Sequence, residues 1–436
     1  AITDAIRIAQ MEVEKPSIII GNGTIAIGCS TMEGIADTHG APLPPEEIAA
    51  TKEKLGLNPN NFFDLPEELV KEFRQGFEFA EREVASWKTT LEKSLTDSEF
   101  SKKWHTSFSE SLPEFDLPTF EAGQSIATRK VWGSMIEAIA PNHPTFAGGS
   151  ADLEPSNVTS GFAKMVGDFQ KESQMNRNFA FGVREFPMGA ALNGMMQHGG
   201  MIVFGATFFV FSDYERPAIR LRALQNLPVV SEFTHDSFWV GEDGPTHQPI
   251  EHIMAFRCMP NVNVLRPADA NEAAVMTKYA FDQDSTPSLV LLTRQGLPVL
   301  DRNKYPTADS VLKGGYVISD AKNPDIIIIA TGSEVHTALG AKEILADKSI
   351  KVVNLASWEL FEKQPEEYKK EVLGDDSIFK VSVEAGTTFG WEKYTGRNGL
   401  NIGIDHFGES APGKDLSEFF GFTAEKVANE IKKTIS

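Results

Sequence analysis

The sequence predicts an α/β protein of two consecutive doubly wound, mainly parallel sheets, preceded by the tail of a third α/β domain. Short apolar runs recur at "MIVFGATFFVF", "LPVVSEFTH", "VNVLRP" and "PSLVLLTRQ", each separated from the next by a helical stretch or turn. A second series follows at "DIIIIATGSEV", "IKVVNLAS", "IFKVSVEAG" and "LNIGID". Strands alternating with helices in this way form parallel sheets covered on both faces. The chain also opens inside such a unit: "AITDAIRIAQMEVEKPSIIIGNGTIAIG" reads as a helix, a Lys-Pro turn and a buried strand centred on Ile18 to Ile20.

The elements follow in order. Residues 1–45 form the tail of the first domain. Residues 46–120 are polar, helical in pattern and punctuated by Pro42, Pro44, Pro45 and Pro66 at their start, so they read as a helical linker. Residues 121–305 hold the first full sheet and begin with "ATRKVWGSMIEAIA", which puts Val131, Met135, Ile136 and Ile139 on one helical face. Residues 306–436 hold the second sheet. They close on a helix with Thr423 and Glu425 at its start. The "ATGSE" turn at 330–334 could bind an anion at its helix N-terminus, but a structural role is the simpler reading.

Composition narrows the partners. With 41 Lys plus Arg against 61 Asp plus Glu, the formal net charge of -20 argues against nucleic acid or an anionic membrane. No apolar run is long enough to cross a bilayer. Cys29 and Cys258 are the only cysteines, far apart and without metal-ligand spacing, so neither a disulfide framework nor a zinc cluster is expected and a cytoplasmic location is the default.

In open parallel sheets ligands sit at the carboxyl ends of strands. Five such segments are unusually polar: "ATRK" with Arg129, "GGSADLEPSN" with Asp152 and Ser156, "GVREFPMG" with Arg184 and Glu185, "THDSFWVGEDGPTHQP", and "LLTRQGLP" with Arg294. Singly, each Arg reads as a surface ion pair and the Ser as a turn cap. Together, two Arg, a Ser and a His could converge on one anion, and a phosphate monoester suits bidentate Arg. In the fourth segment, His235 and His247 stand 12 apart across Gly and Pro, which matches no helical zinc spacing. Phe238 and Trp239 between them argue against a freely solvated loop. What remains is hydrogen-bond recognition of a molecule with several hydroxyls. Phe208, Phe211 and Tyr214 recur at i, i+3, i+6, as core packing or as a pocket facing Glu185.

These motifs, with "FGVREFPMGAALNG", "DIIIIATGSEV" and "FGESAPG", resemble the transketolase family in order and over essentially the whole chain. The resemblance implies a thiamine-diphosphate enzyme that moves a two-carbon ketol unit reversibly from a ketose phosphate to an aldose phosphate in the pentose phosphate pathway. It implies a homodimer, sugar-phosphate substrates and magnesium or calcium on the diphosphate. Carried over by motif, Glu185 matches the glutamate at the pyrimidine N1′, which favours the imino tautomer that removes the thiazolium C2 proton. Phe208, Phe211 and Tyr214 match the aromatic pocket of that ring. Arg129, Ser156, His235 and Arg294 match phosphate ligands, Asp243 and His247 match groups on substrate hydroxyls, and His39 in "DTHGAP" matches a histidine near cofactor and donor. Glu185, His39 and His247 are thus the expected catalytic residues.

One departure shapes the remaining expectations. The family's Gly-Asp-Gly motif and its following Asn, which hold metal and diphosphate, have no counterpart here; "GEDGP" at 241–245 belongs to the substrate loop. Most of the diphosphate-binding domain, with the metal ligands, is therefore expected to be missing, so no metal ligand is assigned and the chain alone is expected to be inactive. The alternatives are dihydroxyacetone synthase, or a non-catalytic subunit of a two-chain thiamine enzyme that supplies only the pyrimidine pocket. 1-Deoxyxylulose-5-phosphate synthase is disfavoured by "GEDGPTHQP" and the Arg set.

Overall fold

The computed structural model describes residues 1–63, 65–109, 112 and 114–435. They form two compact units, Ala1–Ser94 and Leu95–Ser436. The first contains the helices Ile2–Met11, Pro45–Lys54 and Glu67–Ser94 and the single turn Ala36–Thr38. Pro45 opens its helix, with Glu46 and Glu47 in the first turn and Lys52 and Lys54 in the last, each charge complementing the helix dipole. The Glu47 carboxylate accepts from the Thr31 amide at 2.8 Å and its hydroxyl at 2.7 Å, and so ties this helix to the preceding loop. The buried strand expected at Ile18 to Ile20 is not formed; Ile18 is 85% and Ile20 80% exposed. A strand needs a neighbour for its backbone groups, and among the described residues none before Ser125 is in a strand.

The second unit contains both expected sheets. β1 (Ser125–Ala127) pairs antiparallel with β7 (Gly296–Pro298) as a separate ribbon. β2 (Phe146–Ser150), β3 (Ile202–Phe208), β4 (Val230–Thr234), β5 (Asn263–Leu265) and β6 (Ser288–Leu292) make a parallel sheet in the order β2-β3-β4-β6-β5. β8 (Tyr316–Ser319), β9 (Ile326–Ala330), β10 (Ile350–Asn354), β11 (Phe379–Val383) and β12 (Leu400–Ile402) make the other, in the order β12-β11-β9-β10-β8, with only edge strand β8 antiparallel. The central strands β3, β4, β6 and β9 are buried almost throughout, which is why they read as unbroken apolar runs.

Helix Thr128–Ile139 buries Val131, Met135, Ile136 and Ile139 completely, as its spacing requires. The closing helix begins at Ala424 with Thr423 Oγ1 accepting from the Lys426 amide at 3.3 Å, and it buries Val427, Ala428 and Ile431. One apolar cluster runs from Val131 through Val290 and Ile328 to Ile431, so the two sheets share a core.

Candidate functional site

Four neighbouring strand ends build the site. After β4 the chain turns at His235, whose φ of 60° is left-handed. After β6, Thr293 meets the first residue of the helix that carries Arg129: the Thr128 amide donates to Thr293 Oγ1 at 3.1 Å and the Thr293 amide to Thr128 Oγ1 at 2.8 Å. This reciprocal pair brings Arg129 and Arg294 together across 165 residues of sequence. After β2, the helical turn Glu154–Asn157 offers the Ser156 carbonyl to Arg129 Nη1 at 2.8 Å. β3 ends at Phe208, whose ring stacks on His235 with centroids 3.8 Å apart.

The electrostatics match this geometry. Burial lowers the His235 pKa to about 3, helped by Arg129, Arg294 and His247, so the ring is neutral and acts as a donor and acceptor. Burial and the neighbouring Arg294 lower the Arg129 pKa, against the pull of Glu232. Two guanidinium groups and a neutral imidazole thus lie near one another, with no carboxylate hydrogen-bonded to them among the described residues, an arrangement chemically suited to an anion.

The loop 235–249 is braced by the segment 408–413. Gln248 Nε2 donates to the carbonyls of Gly241 and Glu409 at 2.9 and 2.8 Å, and Ser410 Oγ donates to the Glu242 carbonyl at 2.5 Å. Phe238 is fully buried, so this is not a free loop. Gly241 has φ of 87° and packs beside Arg294, where a Cβ would stand 3.7 Å from Nη1. Asp243 is exposed and its carboxylate has no protein partner among the described residues. His247 holds Thr246 Oγ1 at 2.8 Å through Nδ1 and meets Phe211 edge-on at 5.4 Å.

Phe208 and Phe211 are parallel within 3° at 5.9 Å, and Phe211 continues to Tyr214 at 6.2 Å. Tyr214 is 64% exposed, which leaves the stack open at one end. Glu185 opens the helix Glu185–His198, which packs on Ser212–Leu224 so closely that a Cβ on Gly189 would come within 2.8 Å of Ala218 Cβ. Glu185 is buried, and among the described residues its carboxylate has no hydrogen bond or ion pair. Its charge reaches Glu215, which immediately follows Tyr214; burial raises the Glu215 pKa, Arg222 and Ser231 oppose this, and Glu185 adds to it. An aminopyrimidine needs flat apolar faces and a carboxylate free to accept a ring hydrogen bond. Of the stack only Tyr214 lies on this helix pair; Phe208 ends β3 and Phe211 lies in the turn Phe209–Phe211 that leads into Ser212–Leu224, so the carboxylate and the rings stand on neighbouring, packed elements.

His39 lies in the other unit, exposed at the end of the Ala36–Thr38 turn, where none of the other expected site residues is found. Among the described residues, Asp213, Glu251 and His252 present three possible metal ligands within 4.8 Å of one another. His252 sits between the two carboxylates, with Nε2 3.3 Å from Asp213 and Nδ1 3.7 Å from Glu251, and neither ring nitrogen is hydrogen-bonded among the described residues.

Sequence reading missed Glu232, a fully buried carboxyl on β4 with neither oxygen hydrogen-bonded. Burial raises its pKa well above the usual range, against the pull of Arg129. A Glu inside the apolar run "PVVSEF" was the available signal.

A double-sheet α/β scaffold whose strand ends bring a cluster of cationic side chains next to an aromatic stack has the architecture of an α/β enzyme. Profile matches cover most of the chain: the transketolase thiamine diphosphate binding domain at residues 1–113, the transketolase pyrimidine binding domain at 124–299, and the transketolase-like C-terminal domain at 314–423. Transketolase from Bacillus subtilis (strain 168) is 43% identical over 444 residues, covering 100% of this chain and 66% of the relative. Transketolase from Geobacillus stearothermophilus is 44% identical over 440 residues, covering 99% and 66%. Transketolase from Pichia stipitis in complex with sedoheptulose-7-phosphate superimposes with a TM-score of 0.92 at 37% identity, covering 100% of this chain and 65% of that structure. The chain belongs to the transketolase family and spans about two thirds of the length of these relatives.

The match at 1–113 corrects one expectation. The diphosphate-binding domain signature runs well past residue 45 and through most of the stretch read as a linker, so the view that the chain lacks most of that domain is not supported. Two inferences that hung on it lose their support: that the metal ligands lie in a missing domain, and that the chain alone is inactive. Neither alternative, dihydroxyacetone synthase or a non-catalytic subunit, is favoured by these matches.

Proposed function

We propose that the protein is a transketolase that binds thiamine diphosphate with magnesium or calcium and transfers a two-carbon ketol group reversibly between sugar phosphates. The observation that carries this is the convergence of Arg129, His235 and Arg294 on one anion site at the strand ends that also carry the aromatic stack. Arg129 and Arg294 bind the substrate phosphate, with Ser156 completing the pocket and neutral His235 hydrogen-bonding without adding charge. Asp243, exposed, and His247, half-buried, bind hydroxyls near the reacting carbons.

Phe208, Phe211 and Tyr214 hold the pyrimidine ring by stacking, and Glu185 accepts a hydrogen bond at its N1′. When bound, the cofactor supplies the carbon nucleophile and the electron sink for the ketol unit. The open end of the stack at Tyr214 supports a homodimer in which a second subunit covers the cofactor, and His39 is proposed, on its motif alone, as a group near cofactor and donor. Among the described residues no helix is long and apolar enough to cross a membrane.

The test is direct. The purified protein, given thiamine diphosphate, magnesium, a ketose phosphate donor and an aldose phosphate acceptor, is expected to form both products in equal amounts. Absence of cofactor-dependent product with either magnesium or calcium would refute the assignment.

A further inference from the structure

The "ATGSE" turn of the second sheet is tied to the anion site by a buried chain of charges. Arg266, just beyond β5, donates from Nε to Asp236 Oδ2 at 2.8 Å. From Nη1 it donates to the Thr331 carbonyl at 3.1 Å, to Thr331 Oγ1 at 2.8 Å and to Glu334 Oε2 at 2.5 Å. Thr331 Oγ1 donates onward to Glu384 at 2.7 Å, and Glu384 takes both terminal nitrogens of Arg257 at 2.8 Å each. The turn is shaped for this guanidinium: Gly332 has φ of 53°, and a Cβ there would stand 2.8 Å from Arg266 Cζ. Every side chain in the chain from Asp236 to Arg257 is at most 2% exposed.

Asp236 directly follows His235, whose left-handed backbone is uncommon for a residue with a Cβ and must be imposed by its surroundings. Among the described residues, Arg266 is the only partner of the Asp236 side chain, since Oδ1 has none. The neighbouring backbone bond, from the Asp236 amide to the Leu292 carbonyl, is long at 3.3 Å. Holding the aspartate therefore holds the histidine.

We propose that Arg266 is a positioning residue: the Thr331–Glu334 turn grips its guanidinium, which through Asp236 fixes His235 with its ring on Phe208 and beside Arg129 and Arg294. The second sheet thereby acts on substrate binding without touching substrate. This gives the turn a role beyond a plain structural one. The phosphate part of the test below rests on the function proposed above, and the histidine part does not.

The test uses full-length protein with selectively labelled histidine, His235 being assigned by the signal lost in His235→Gln. Thr331→Val and Glu334→Gln loosen the grip, and Thr331→Ser restores the hydroxyl. Thr331→Val removes a single hydroxyl and carries the test should Glu334→Gln fail to fold. Ring-nitrogen NMR signals are read without ligand and then during titration with inorganic phosphate. Thr331→Val and Glu334→Gln are expected to move the His235 signals in the free protein and to weaken phosphate about fivefold or more, a coupling of ordinary size between sites. Thr331→Ser is expected to recover both. Unmoved His235 signals in a folded variant, or a lower Tm with phosphate affinity intact, would overturn the proposal by leaving the turn only a structural part. If wild type binds no phosphate, the phosphate assignment falls and the free-protein His235 signals alone decide the relay.

Discussion

Replacing Arg294 with Ala isolates the proposed phosphate contact because so little else depends on this side chain. Arg294 is exposed beyond β6, with its guanidinium beside Gly241 and, among the described residues, no hydrogen-bond or ion-pair partner to orphan. Truncating such a residue typically changes stability by less than about 0.5 kcal/mol. A charged hydrogen-bonded pair with phosphate contributes about 1.5–3 kcal/mol, which converts to a loss of about 10- to 150-fold in kcat/KM. Removing Arg294 also relieves its repulsion on Arg129, so the lower part of that range is expected. The assay is steady-state ketol transfer with a ketose phosphate donor and, separately, an unphosphorylated ketol donor, each against the same acceptor concentration series. The phosphorylated donor is expected to lose at least tenfold more than the other. Equal losses for both donors, with Tm unchanged, would refute the assignment of Arg294 to phosphate.

Three further outcomes are expected. Asp243→Ala lowers kcat/KM about 5- to 30-fold for substrates of the preferred hydroxyl configuration, the worth of one or two hydrogen bonds, and leaves the Kd of thiamine diphosphate unchanged; an equal fall in cofactor affinity by calorimetry would move Asp243 to another site. His235 has its folded pKa held at about 3 against 6.5 unfolded, so below pH 6.5 the unfolded chain takes up a proton that the folded one refuses. Folding therefore loses stability as pH falls, roughly 3 kcal/mol from this group by pH 4, and denaturation of His235→Gln should show a shallower acid limb than wild type. Glu232 has its folded pKa raised, so its contribution is most favourable below the unfolded value of about 4.5 and is lost as pH rises. Glu232→Val should accordingly raise Tm more at pH 8 than at pH 4.5, and a pH-independent change would show that the carboxyl does not titrate in this way.

The strands of both sheets are legible because burial on both faces leaves a continuous apolar signature, as in "DIIIIATG" for β9. The same signature misleads at Ile18 to Ile20, where an apolar run finds no neighbouring strand and stays exposed. Local polarity at strand ends marks Arg129, His235 and Arg294 individually. Their meeting depends on the Thr128–Thr293 pair, and nothing in sequence spacing announces two threonines exchanging hydrogen bonds across 165 residues. The same limit hides the Arg266 network, whose members come from the ends of β4, β5, β9 and β11 and from the helix His252–Arg257 and look like isolated charges until the two sheets are placed together. The roles expected of Glu185 and the aromatic stack came from motif resemblance, because spacing alone left the rings open between core packing and a pocket facing Glu185.

Whether Glu185 serves as the carboxylate of a thiamine site is measured most directly by the exchange of the cofactor's own C2 proton with solvent deuterium. Wild type and Glu185→Gln are each loaded with thiamine diphosphate and magnesium, quenched in acid after defined times, and the C2 signal of the released cofactor is integrated by NMR. The amide keeps the shape of the side chain while removing its charge and basicity. The exchange rate is expected to fall about 10²- to 10⁴-fold in Glu185→Gln, the usual worth of a positioned acid–base group, with cofactor still bound. Exchange equally fast in both proteins, at matched cofactor occupancy, would contradict the placement of the catalytic carboxylate at the start of the helix Glu185–His198.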